Sequence, residues 1–151
     1  MTEADKALQA YWRDRQAGPF DLLLGQEPVS RETGHAISQL EVAERHHNPH
    51  GGVHGGVIAT LVDSTMGMAA GSVLDDSETV APLELKTNYL RPVSGGVLRA
   101  EAKVISQGRR TIVTTCDVTL NDASNHDTSV SARLIAHASA TWMRIERPGP
   151  T

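Results

Sequence analysis

The chain has 151 residues, the length of one ordinary domain, and its 39% apolar and 21% charged residues exclude a disordered polymer. Aromatics amount to 3% and the net charge is −4, which removes both a base-stacking platform and the basic footprint of a nucleic-acid binder. The lone Cys116 excludes an internal disulfide, the charged start MTEADKALQAYWRDRQ lacks a signal-peptide core, and no apolar run is long enough to cross a bilayer, so a cytoplasmic protein is expected.

Leu8, Tyr11 and Trp12 fall at helical spacing among charged neighbours and predict a short amphipathic helix over 4–16. Pro19 opens one more helical turn in PFDLLLG. These make an N-terminal helical segment, 1–28. From Val29 to Glu44 the pattern suits one or two strands with Ala36, Ser38, Leu40 and Val42 on one face. A loop dense in histidine and glycine follows at 46–56, and residues 55–72 read as the main helix. Ile58, Leu61, Val62, Thr65 and Ala69 form its stripe, and the opposite face (Val57, Ala59, Met66, Met68, Ala70) is also small or apolar, as in a helix buried on most sides. Four β-rich segments come next: Thr79–Leu90, Val97–Ser106, Thr111–Leu120 and Thr128–Arg144. They are separated by RPVSGG, SQGRR and NDASNHD, and the last two turns are short enough for antiparallel hairpins. One domain over 29–145, with a tail at 146–151, fits an α+β fold in which a curved antiparallel sheet wraps around one central helix.

The loop admits three readings. His46, His50 and His54 are spaced by four, as helical metal ligands would be, but Pro49, Gly51 and Gly52 oppose a helix there and no cysteine or second carboxylate lies nearby. No metal is expected. A phosphate cradle is also a poor fit, because HGGVHGG lacks the Lys-Ser/Thr of a P-loop and departs from the dinucleotide fingerprint. The third reading is the helix start itself. Gly55 and Gly56 would present backbone N–H groups at the positive helix end, where a substrate atom meets no Cβ. Such donors stabilise an oxyanion. Asp63 strengthens this reading, being a carboxylate inside an apolar helix with no cation three or four positions away.

The stretch NPHGGVHGGVIATLVDS resembles the hotdog-fold acyl-CoA thioesterases, specifically their phenylacetate-degradation (PaaI-like) group: Asn48, then His54-Gly55-Gly56, then an acidic residue nine positions after the histidine, Asp63. NYLRPVSGG and AKVISQGRRTIVTTCDVTLND look like the same family's continuation, and the resemblance covers roughly residues 30 to 145. It implies the hotdog fold and hydrolysis of an acyl-CoA thioester, such as an aryl- or hydroxyphenylacetyl one, with no cofactor, since coenzyme A is part of the substrate.

Carried over residue by residue, the resemblance makes Asp63 the catalytic carboxylate, attacking the carbonyl or activating water; the sequence leaves these two routes open. The Gly55 N–H becomes the oxyanion donor, with Gly56 beside it, and Asn48 orients water or thioester. His54 shapes the loop rather than acting as a base. Relatives add a Ser or Thr from the strand after the helix; that position is Pro82 here, leaving Ser64, Thr65 or Thr79 to stand in. Arg91, Arg109 and Arg110 are candidates for the coenzyme's phosphates, and the acyl pocket is expected around Gly67 and from Pro82 onward. Gly55 and Asp63 lie ~12 Å apart along one helix at 1.5 Å per residue, so one helix cannot serve one carbonyl with both. A homodimer is the expected minimum active unit, and the resemblance implies dimers pairing into a homotetramer. Two rivals share the fold: a hydratase/dehydratase, which pairs a catalytic histidine with a carboxylate, and a non-catalytic acyl-CoA-binding protein, which would not need Asp63.

Overall fold

A computed structural model describes residues 17–121 and 132–147. The helix expected over 4–16 lies outside the described residues. In chain order the elements are helix α1 (Pro19–Leu24), strands β1 (Gln26–Glu32) and β2 (His35–Glu41), a 3-10 turn (Glu44–His46), helix α2 (Gly55–Gly71), and strands β3 (Glu78–Tyr89), β4 (Val97–Gln107), β5 (Thr111–Asn121) and β6 (Arg133–Glu146). The sheet therefore begins at Gln26, before the sequence-derived boundary at 29, and runs to Glu146.

α1 is short because its ends are chemically fixed. Pro19 occupies the first turn, Asp21 accepts the Gly18 N–H at 2.8 Å, and Gly25 closes the helix with φ at +77°. The strands alternate as their sequences predict: along β5, Ile112, Thr114, Cys116, Val118 and Leu120 point inward.

All pairings are antiparallel, in the order β1-β2-β4-β5-β6-β3. The meander is β4-β5-β6; β3 does not neighbour β4 but joins the far side of β6, with Tyr89 opposite Ala136. The RPV segment carries the chain back across the helix start, where the Val53 N–H donates to the Val93 carbonyl at 2.7 Å. β1 and β3 are consequently the two edges of the sheet.

α2 sits against the concave face on a floor of small side chains. Ala36, Ala102, Cys116 and Ala138 face one another across four strands and are all buried. Against them the helix sends Leu61, Val62 and Met66, each fully buried. Truncating such a leucine to alanine costs ~2–5 kcal/mol. Gly67 admits the Trp142 indole, whose edge would stand 3.2 Å from any Cβ placed there, and the indole N–H donates to Thr114 Oγ1 at 2.9 Å. The sheet does not wrap the helix completely. Gly56, Ala59, Thr60, Asp63, Ser64, Gly67 and Gly71 form a partly open stripe between the two edges.

Candidate active site

The histidines of the loop are tied to the backbone. The Ala43 N–H donates to His46 Nδ1 at 2.9 Å, leaving Nε2 to donate to the Leu24 carbonyl at 2.7 Å. His47 Nε2 donates to the Ser94 carbonyl at 2.9 Å. His54 is the N-cap of α2, and its Nδ1 accepts the Gly56 N–H at 2.9 Å. The crowding of histidines thus has a structural cause. Among the described residues no three His, Cys, Asp or Glu side chains gather as a metal-binding group.

These ties decide which helix donor remains. Gly56 N–H is taken by the His54 ring, and Val57 N–H by the His54 carbonyl at 2.9 Å. Gly55, the first helical residue, has no preceding carbonyl to reach within the helix, so its N–H is the donor open to a ligand. Asn48 is fixed beside it: its Oδ1 accepts the N–H groups of His50 at 2.9 Å and Gly52 at 3.3 Å. With the oxygen committed to the loop, only the Asn48 NH₂ can reach outward, as a donor. Asn48, Gly52, Val53, Gly55 and Ile58 line an open cavity of about 350 Å³ together with the 89–93 segment that carries Tyr89 and Arg91.

Tyr89 is a site residue that sequence reasoning missed. Its hydroxyl donates to the Gly55 carbonyl at 3.0 Å, and its ring packs against the glycine. The only sequence signal was its place in NYLRP, beside Arg91. Arg91 itself is held to the sheet, Nη1 donating to the Leu134 carbonyl at 2.7 Å. Arg109 and Arg110 lie elsewhere. From Thr111 to Leu120, the latter paired with Arg133 next to Arg91's anchor, β5 spans ~30 Å along the strand at ~3.3 Å per residue, which puts the β4–β5 turn at the opposite end.

Asp63 lies further along α2, half-buried on the open stripe, and no cation among the described residues pairs with it. Burial and then the nearby Asp21 carboxylate push its pKa above the ordinary aspartate value. Asp21, on α1, accepts the Ser64 hydroxyl at 2.5 Å. A second cavity, about 290 Å³, opens here and is lined by Asp21, Ser64, Gly67 and Met68, then by Gly71 and the start of β3. Of the three hydroxyls that could replace the one missing at Pro82, Ser64 and Thr79 line this cavity; Thr65 is buried and donates into its own helix, to the Leu61 carbonyl at 2.6 Å. Pro82 is exposed on edge strand β3 at a bulge, a position where a missing N–H is tolerated. Gly67 does line the second cavity, but its strand wall is Glu78–Thr79–Val80, ahead of Pro82.

The geometry is that of an oxyanion donor lining one cavity and, eight residues further along the same helix, a carboxylate whose neighbour Ser64 lines a second. The family model described as Thioesterase superfamily matches residues 50–124, and the chain is 38% identical to a 1,4-dihydroxy-2-naphthoyl-CoA hydrolase of Listeria monocytogenes over 60% of this chain and 73% of the relative. The chain belongs to the thioesterase superfamily. A thioesterase family protein from Silicibacter pomeroyi superposes with a TM-score of 0.80 at 26% identity, covering 95% of this chain and 98% of that one. A point mutant of the phenylacetic acid degradation protein PaaI from Thermus thermophilus gives a TM-score of 0.73 at 26% identity, covering 85% and 100%. The curved sheet around one long helix is the hotdog fold, and this thioesterase is a thioester hydrolase.

Proposed function

We propose that this thioesterase hydrolyses acyl-CoA thioesters at a site shared between two subunits. The observation that carries the reading is the division of labour along α2. The open N–H at Gly55 and the Asp63 carboxylate, unpaired among the described residues, are ~12 Å apart along the axis, too far for one carbonyl. Antiparallel packing of two copies of α2 through the open stripe, with the two-fold near Ala59, would set Gly55 of one subunit opposite Asp63 of the partner subunit. Ala59, with Gly56 and Thr60 beside it, leaves room for that approach. The first cavity of one subunit would then adjoin the second cavity of its partner. Two such dimers associating would give a homotetramer.

In this arrangement the thioester carbonyl oxygen accepts the Gly55 N–H, with the Asn48 NH₂ beside it. Asp63 removes a proton from an attacking water, or attacks the carbonyl carbon itself to form a mixed anhydride that water then hydrolyses; either way the C–S bond breaks, the sulfur leaves as the thiol of coenzyme A after protonation, and the free acid forms. A carboxylate with a raised pKa is a stronger base once ionised. Arg91 is the cation nearest the first cavity and suits a coenzyme phosphate; Arg109 and Arg110 serve only where another subunit brings their turn to the site. Aryl-acetyl and hydroxyphenylacetyl groups suit the size of the second cavity, and the names of the naphthoyl-CoA hydrolase and PaaI relatives support that class.

His54 spends its Nδ1 on the Gly56 N–H, which argues against the histidine-based chemistry of a hydratase. A purely binding protein is separated by one experiment: thiol release from a panel of acyl-CoAs, wild type beside Asp63→Asn. Loss of at least ~10²-fold in kcat by a folded variant is the expected result for a catalytic carboxylate; near-normal turnover would remove Asp63 from the mechanism.

A further inference from the structure

The second cavity is electrically polarised along the helix. Beside Ser64, the residue after Asp63, stands Asp21; toward the C-terminal end of the helix stand Arg31, on edge strand β1, and Arg147, just after β6, with the Glu78 carboxylate in the same wall. The two carboxylates in the wall already have donors. Asp21 holds Ser64 and the Gly18 N–H, while Glu78 is gripped by Arg144 through Nε at 3.1 Å and Nη2 at 2.5 Å. Among the described residues Arg31 reaches only a neutral carbonyl, Nε donating to Met68 O at 3.2 Å, and Arg147 likewise reaches the Glu78 carbonyl at 3.4 Å. Arg31 is exposed overall, but partial burial against the helix lowers its pKa, and no carboxylate among the described residues offsets this. The guanidinium lies against the helix at Gly71, where a Cβ would stand 3.4 Å from Arg31 Nη2, an ordinary contact. The cavity therefore ends in a guanidinium whose terminal N–H groups, which form a planar fork suited to a carboxylate, are uncommitted among the described residues.

Building on the acyl-CoA hydrolysis proposed above, we infer that this cavity is the acyl subsite and that Arg31 selects acyl groups whose far end carries a carboxylate. Within the acyl groups that fit the cavity by size, those ending in a carboxylate are then preferred over their uncharged counterparts, the simplest being mono-thioesters of coenzyme A with medium-length dicarboxylic acids. Met68 and Gly71, which bracket the guanidinium, lie ~7.5–12 Å beyond Asp63 along the helix at 1.5 Å per residue. A thioester carbonyl held at Asp63 leaves that span for the acyl group, and a plain alkyl end would leave the guanidinium unpaired. Arg31 is a specificity residue; it touches neither the carbonyl nor the leaving thiol.

The test compares adipoyl-CoA with hexanoyl-CoA, which share a chain length and differ in the terminal carboxylate, on wild type and Arg31→Gln. Wild type should favour adipoyl-CoA by at least ~10-fold in kcat/KM, the order expected for a hydrogen-bonded charge pair, and Arg31→Gln should collapse that ratio toward one. A wild-type enzyme that hydrolyses hexanoyl-CoA as well as adipoyl-CoA overturns the inference and leaves the thioesterase reading standing. A variant that loses activity on both while keeping the ratio also overturns it, placing the guanidinium on the coenzyme. Calorimetric binding of the same two thioesters to Asp63→Asn, with and without Arg31→Gln, separates the two readings. A binding preference for adipoyl-CoA that depends on Arg31 supports the subsite even where hydrolysis fails, and equal affinities overturn it.

Discussion

Gly55→Ala adds one methyl group to the first residue of α2 and should separate catalysis from stability. The added Cβ would lie 3.4–3.5 Å from the Tyr89 ring, an ordinary contact, and Gly55 has no positive φ to forbid a side chain. Glycine-to-alanine changes at compatible positions move stability by ~0.4–1 kcal/mol, about 1–4 °C in Tm for a chain of this size. The same methyl stands between the helix start and Tyr89, both of which line the cavity that the open N–H serves. An oxyanion must come within ~2.7–3.1 Å of its donor, and losing one such donor costs ~10²–10³ in rate, ~2.7–4 kcal/mol. The interaction is made mainly in the transition state, so kcat and kcat/KM should fall together. The assay is thiol release against substrate concentration, with a thermal melt on the same preparation. Burial pushes the Cys116 thiol up to about 12, so the enzyme's own cysteine adds little background to a thiol reagent. A folded Gly55→Ala protein that keeps more than ~10% of wild-type kcat/KM would refute the oxyanion role.

The acid limb of kcat/KM should lie above the ordinary aspartate range, because burial and Asp21 both raise Asp63; Asp21→Asn removes the second cause and should shift that limb to lower pH. An unmoved limb would detach Asp21 from the catalytic carboxylate. The same shift has a stability consequence. Between the unfolded and the higher folded pKa the native state binds more protons, so stability falls as pH rises through the folded value. Asp63→Asn should therefore melt higher than wild type at neutral pH, with the gain vanishing on acidification below the ordinary aspartate range; a variant that melts lower at neutral pH contradicts the strained-carboxylate reading. Activity should survive dialysis against a chelator, since the loop histidines are held by backbone groups; loss on EDTA treatment restored by zinc would revive a metal.

Periodicity located α2 and the strands, because each buries one face against a neighbour and the alternation is written in the residues themselves. The Asn48–His54–Gly55–Asp63 spacing was legible for a related reason: its members lie on one loop and one helix. What stayed hidden depends on chain crossing. Tyr89 meets Gly55, Asp21 meets Ser64 and Arg31 meets Met68 only because β3 joins the far edge of the sheet and α1 and β1 run beside the later part of the helix. Arg91 and Arg109-Arg110 looked equivalent as basic turns, yet antiparallel strands of this length put their turns at opposite ends. Asn48 showed its position but not its orientation, which the loop's own N–H groups settle by claiming Oδ1.

The shared site is tested most directly by complementation. Gly55→Ala and Asp63→Ala proteins, each inactive alone, are mixed under subunit exchange, and verified mixed dimers are assayed for thiol release. With Gly55 of one subunit serving Asp63 of the other, a mixed dimer holds one site with both lesions and one with neither, so up to half of wild-type activity should return. Mixed dimers that stay inactive, or a fully active isolated monomer, would contradict the account.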